Sequence, residues 1–129
     1  MQVTVSQERA RVPVTVLRVK GNIDSSTYEQ FEASAKQAIQ SGAKDLVIDL
    51  TDAPYMSSAG IRVLLSLFNQ LHNVKEIQTA EQTVLSSNFK SPHLKLAGVA
   101  PHVLDVLKTS GIDEFLDIYK TSKDALAAF

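Results

Sequence analysis

Valines recur at alternating positions through the first twenty residues: Val3 and Val5, then Val12, Val14, Val16 and Val19, all among polar neighbours. A period of two predicts a β-hairpin with one buried face, and Gln7-Glu8-Arg9-Ala10 is the stretch expected to turn. Gly21 ends that unit. The period then changes. Tyr28, Phe31, Ala35, Ala38 and Ile39 fall on one face of a helix, with Ser26 and Glu29 spaced as a capping box and Gly42 placed as a C-terminal cap.

Leu46-Val47-Ile48-Asp49-Leu50 is a short, nearly continuous apolar run, which predicts a strand buried on both faces. Thr51 to Met56 reads as the loop after it. A second helix is expected from Ser58, with Ile61, Leu64, Leu65, Phe68 and Leu71 facing the core. Leu94-Lys95-Leu96-Ala97 suggests another strand. Pro101 suits the first turn of a third helix, whose face is Val103, Leu104, Val106 and Leu107 and whose end is Gly111. Phe115 to Tyr119 fits an edge strand, and Thr121 or Ser122 a cap for a terminal helix running towards Phe129. Strands alternating with helices predict an α/β fold: a mixed, mainly parallel sheet of about five strands with about four helices and right-handed crossovers. Residues 73–92 are polar and follow no period. A connection of about twenty residues inside an α/β domain is unusual, and a mobile insertion is expected, partly extending the second helix through 76–80.

Composition changes this picture little. The 129 residues are 44% hydrophobic and 21% charged, proportions of an ordinary globular protein, and 1–129 is expected to be a single domain. No cysteine is present, which excludes disulfides, thiolate metal sites and cysteine nucleophiles and suits a reducing cytosol. The opening residues lack a basic region followed by an apolar stretch, and no run is long enough to cross a membrane, so neither a signal peptide nor membrane insertion is expected. The formal net charge is −1 with Lys and Arg scattered, which argues against direct nucleic-acid binding.

Candidate chemistry gathers at Asp49-Leu50-Thr51-Asp52-Ala53-Pro54-Tyr55-Met56-Ser57-Ser58-Ala59-Gly60-Ile61. A buried strand ends, and two serines stand at a helix start, where ligands of parallel sheets collect and where a phosphate is tolerated. Ala59 and Gly60 are expected to remove bulk behind the serine and let another protein's active site approach. Ser57 or Ser58 would also serve as a plain N-cap. Asp24 suits either a cap or turn or a partner surface, Thr51 and Asp52 either a solvated loop or that same surface, and Asp49 could orient the loop. A serine hydrolase is disfavoured: the motif is not Gly-x-Ser-x-Gly, and His72, His93 and His102 have no obvious pairing. His93 and His102 are weak metal ligands, expected instead in surface or capping roles. Lys90, His93 and Lys95 form a mild basic cluster, read as a solvated face or a docking site for an acidic partner. No catalytic residue, cofactor or metal is expected.

Three stretches carry a family resemblance: Val19-Lys20-Gly21-Asn22-Ile23-Asp24, Leu46 to Leu50, and Tyr55-Met56-Ser57-Ser58-Ala59-Gly60-Ile61-Arg62-Val63-Leu64. Leu96-Ala97-Gly98-Val99 and Val106 to Gly111 continue it. In order and spacing the chain resembles a STAS domain, the fold of bacterial anti-sigma factor antagonists. The resemblance implies a cytoplasmic, non-catalytic partner-switching protein. Unphosphorylated, it would hold an anti-sigma factor that is also a serine kinase and free the sigma factor; phosphorylation would release it, and a phosphatase would reset it. The family's serine follows an aspartate and lies two residues before a glycine, which here makes it Ser58, with Ser57 in the aspartate's place as a second acceptor. Asp24, Thr51, Asp52, Ser57, Ser58, Gly60 and Arg62 are the expected partner-binding residues. The rival reading is a constitutive scaffold subunit of a signalling or transport complex, in which Ser58 is only a cap.

Overall fold

A computed structural model describes residues 1–71 and 91–129. The expected sheet is present, with five strands ordered β1-β2-β3-β4-β5. β1 (Gln2–Arg9) runs antiparallel to β2 (Pro13–Lys20), whereas β3 (Leu46–Asp52), β4 (Leu94–Ala97) and β5 (Asp117–Tyr119) all continue parallel to β2. Among the described residues four α-helices accompany them: α1 (Tyr28–Gln40), α2 (Ser58–Leu71), α3 (Pro101–Ser110) and α4 (Ser122–Ala127), with a 3-10 turn at Ile112–Glu114. The segment expected to be a mobile insertion lies outside the described residues except for Ser91 and Pro92, as do the proposed extension of α2 through 76–80, His72 and Lys90.

Because the strand order never reverses, crossovers of one hand put each described connecting helix on the same face of the sheet. Phe31 and Ala35 of α1, Val63, Leu64 and Leu67 of α2, and Val103 and Leu107 of α3 form one core with Leu17, Ile48, Leu50 and Leu96 of the strands. The other face is covered by the C-terminal segment, where Ala125 packs on Val14, Val16, Val47 and Ala97, with Leu126 and Phe129 against them.

This second layer corrects the hairpin. Val14, Thr15, Val16 and Leu17 are buried in succession, so β2 is covered on both faces rather than one, and β1 carries no fully buried residue. The turn lies at residues 10–12, since Arg9 still pairs with Pro13. The capping box is not formed either. Thr27, not Ser26, precedes α1, and Ser26 instead donates to the Asp24 carboxylate. In α2 the buried line runs through Val63 and Leu67, while Leu65 faces solvent. Lys95 leaves the expected basic cluster: it is 5% exposed, its ammonium 3.9 Å from Asp117 Oδ2 and 5.0 Å from the centre of the Phe129 ring. A strand buried on both faces sends alternate residues into each core, and Lys95 points with Ala97 into the second one.

Other signals appear as read. Gly42, at φ 110°, ends α1 in a Schellman arrangement, with its N–H donating to the Ile39 carbonyl and that of Ala43 to the Ala38 carbonyl. Pro101 opens α3, Gly111 closes it in the left-handed region, and the Thr121 hydroxyl caps α4 by accepting the Asp124 N–H.

Candidate functional site

The carboxyl ends of β2 and β3 are tied together by backbone. Gly21 N–H donates to the Asp52 carbonyl at 2.9 Å, Ile23 N–H to the Tyr55 carbonyl at 2.9 Å, and Ser57 N–H to the Ile23 carbonyl at 2.8 Å. Ile23 and Met56 form an isolated parallel bridge, both side chains fully buried. Asp24 and Ser57 therefore follow directly on paired residues, which sets the start of α2 beside the turn leading into α1. Just before this, β3 gains a residue on β2, since Arg18 faces Asp49 but Lys20 faces Asp52. Such a bulge re-aims the strand end. Asp49 secures it: its Oδ1 accepts the Thr51 N–H at 3.0 Å and the Thr51 hydroxyl at 2.6 Å, and Arg18 Nε stands 3.7 Å from Oδ2. Thr51 and Asp52, expected in the loop, are the last residues of β3, so the buried carboxylate holds the strand end that leads into the loop, and these are the partners its burial requires.

The two serines differ. Ser57 is the N-cap of α2: its Oγ accepts the Ala59 N–H at 3.2 Å, and its carbonyl accepts the Gly60 N–H at 3.0 Å. Ser58 is the first residue of the helix, exposed, with its hydroxyl in no hydrogen bond among the described residues. Ala59 and Gly60 are buried and turned inward. A Cβ on Gly60 would lie 2.5 Å from Met56 Cγ and 2.9 Å from Ile23 Cγ2. Their small size therefore seats the helix on the Ile23–Met56 bridge rather than opening a path to the serine, which corrects the expectation for this pair and leaves Gly60 no side chain to offer a partner.

Asp24 is half-buried, and its Oδ1 accepts the Ser26 hydroxyl at 2.7 Å and the Ser26 N–H at 2.9 Å. These bonds from Ser26 hold its carboxyl below the ordinary value of 3.8, against the opposing effect of desolvation and with lesser help from Thr27. The Thr27 hydroxyl donates to the Asn22 carbonyl at 2.7 Å and accepts the Asp24 N–H at 2.9 Å, so the whole turn is rigidly tied. Thr51, Asp52 and Arg62 are exposed on the surface around these groups.

One neighbour escaped the sequence reading. Tyr55, 41% exposed, stacks on His102 of α3 with ring centres 5.2 Å apart and planes 13° from parallel. The only hint was an aromatic residue in the serine loop and a histidine just after Pro101. His93 lies at the far end of β4, its Nδ1 2.9 Å from Asp45 Oδ1. His93 and His102 thus flank opposite ends of the sheet, and neither is bonded to Ser58. Among the described residues no three histidine, cysteine or acidic side chains are grouped to hold a metal ion, and no helix is long and apolar enough to cross a membrane.

The site's shape follows from topology. Small-molecule crevices in parallel sheets form where the strand order reverses and helices part to opposite faces. No reversal occurs among these strands, and Ser58 is exposed. A cleft of ≈ 770 Å³ does exist, but it lies at the opposite end of β3, between Val5 and Val12 of the hairpin, Ala38 of α1 and Ala43 just after that helix.

A STAS domain family model matches residues 5–79. A protein of Bordetella bronchiseptica named as an anti-sigma factor antagonist, BtrV, is 30% identical over 111 residues, covering 86% of this chain and 82% of its own. Among solved structures, an anti-sigma factor antagonist from Mycobacterium paratuberculosis superposes with a TM-score of 0.74 at 22% identity, over 98% of this chain and 93% of that one. The Bacillus cell fate determinant SpoIIAA in its phosphorylated form does so with a TM-score of 0.62 at 19% identity, over 97% and 96%.

Proposed function

The chain belongs to the STAS domain family, and on that premise we propose that it is an anti-sigma factor antagonist switched by phosphorylation of Ser58. Unphosphorylated, it binds an anti-sigma factor with serine kinase activity and so frees the sigma factor. Phosphorylated, it lets go until a phosphatase resets it. It does so in the cytoplasm, as one domain and without chemistry of its own.

The observation that carries this reading is the division of labour between the serines. Ser57 is engaged as the cap, while Ser58 is exposed, and its hydroxyl forms no hydrogen bond among the described residues. A kinase needs such a hydroxyl. The geometry also favours Ser58 over Ser57, because phosphorylating Ser57 would first require breaking its bond to Ala59. Asp24, Asp52 and Arg62 supply the charged surroundings in which a partner would read the surface.

Energetically, a phosphoserine brings about 1.5–2 negative charges and three acceptor oxygens. Moving a population from mostly bound to mostly free takes about 5 kcal/mol of differential affinity. Burying an unpaired dianion against a partner is costly enough to supply it.

The test is peptide mass spectrometry of the chain recovered from its native cells, as wild type, Ser58→Ala and Ser57→Ala. One phosphate, lost only in Ser58→Ala, is the expected result. A phosphate lost only in Ser57→Ala would move the acceptor by one residue. No phosphate under any growth condition would overturn the switch in favour of a constitutive scaffold.

A further inference from the structure

Arg62 is the one charged residue among the fourteen of α2, it is exposed, and it forms no ion pair among the described residues. A cation near the start of a helix works against the helix dipole, so helix stability gives no reason for it there. Its place relative to the serine does. Residues four apart share a helix face, one turn above the other. Long helical side chains lean towards the N-terminus and cover the preceding turn, which for Arg62 is the turn that begins at Ser58.

Of the backbone N–H groups from Ser57 to Gly60, only that of Ser58 has no bond among the described residues, so the backbone there offers an anion a single donor. The Ala59 N–H is given to the Ser57 hydroxyl, the Gly60 N–H to the Ser57 carbonyl and the Ser57 N–H to Ile23. One N–H does not balance a doubly charged group on Ser58 Oγ, so further counter-charge has to come from a side chain. A guanidinium, with its planar fork of donors, is the group best shaped to meet phosphoryl oxygens.

We propose that Arg62 is the intramolecular clamp of a phosphoryl group on Ser58. The consequence reaches beyond the phosphate: as the modification adds negative charge to the partner-facing surface, it also withdraws the single cation of α2 from that surface. This inference rests on Ser58 as the acceptor, but its test does not depend on a cellular kinase. Phosphoserine is placed at position 58 of the full chain during translation, by stop-codon suppression, and its second ionisation is followed by phosphorus NMR against pH. The phosphate should ionise at lower pH with Arg62 present than in Arg62→Gln, by about 0.15 to 0.4 of a pH unit. Arg62→Lys should fall between the two, and Lys36→Gln on α1 should leave the titration unchanged. Coincident curves for wild type and Arg62→Gln would overturn the clamp. So would an equal shift from Lys36→Gln, which would reveal only the general field of the protein. Absence of phosphate in native cells would sink the proposed switch and leave this result standing.

Discussion

Asp24 and Gly60 show how single positions at the site are constrained by different physics. At Gly60 the constraint is contact, because any side chain would collide with Met56 and Ile23, the buried pair beneath. At Asp24 it is charge, because the Ser26 hydroxyl and N–H both favour the ionised carboxylate. A carboxyl whose folded pKa is depressed stabilises the fold above its unfolded pKa, and that stabilisation is lost as pH falls through the folded value. The window here opens at the ordinary value of 3.8 and extends below it. Urea midpoints measured at pH 6 and pH 3 should therefore fall less in Asp24→Asn than in wild type. Equal losses in the two proteins would mean that Ser26 holds a carboxyl group without preferring its charged form.

At the scale of the element, α2 carries the clearest test of how the site is built. Its N-terminus is finished by the Ser57 side chain, so Ser57→Ala should lower unfolding free energy by about 1 kcal/mol. Ser58→Ala removes an exposed hydroxyl with no bond and should stay within about 0.5 kcal/mol of wild type. Chemical denaturation of the two variants side by side distinguishes the roles, and a reversal of the order would mean that the helix begins one residue later. The same helix shows what periodicity misses. Apolar spacing admitted Leu65 to the buried face, yet the helix sits so that Val63 and Leu67 are covered and Leu65 is not. With so many apolar residues in α2, the pattern allowed more than one angle of docking, and the contacts of Gly60 with the Ile23–Met56 bridge select one.

For the molecule as a whole, the separation into two layers matters most. Three helices pack on one face because the strand order never turns back, and the other face depends on the short C-terminal helix. That helix contributes Ala125, fully buried against Val14, Val16, Val47 and Ala97. Ala125→Asp would place a carboxylate in that apolar layer and should cost about 3 kcal/mol or more, with increased binding of a hydrophobic dye. An unchanged urea midpoint would show that this face tolerates exposure. The layer also explains Lys95, whose stem is buried there while its ammonium finds Asp117 and the rings of Tyr119 and Phe129.

What the amino-acid order determines by itself is local. The β3 run, the helical spacing from Phe31 to Ile39, Gly42 and Gly111 at helix ends, Pro101 at a helix start and a cap at Thr121 or Ser122 each act through neighbours a few residues away; each lies where its pattern puts it, the cap being Thr121 of the two. The serine motif between β3 and α2 was legible for the same reason. Which serine caps and which is exposed, why residue 60 has no side chain, why β2 is buried on both faces, and that His102 stacks on Tyr55 were decided by tertiary structure. Each of these depends on a surface brought from a distant part of the chain. Periodicity records that a residue avoids water, but not which surface covers it.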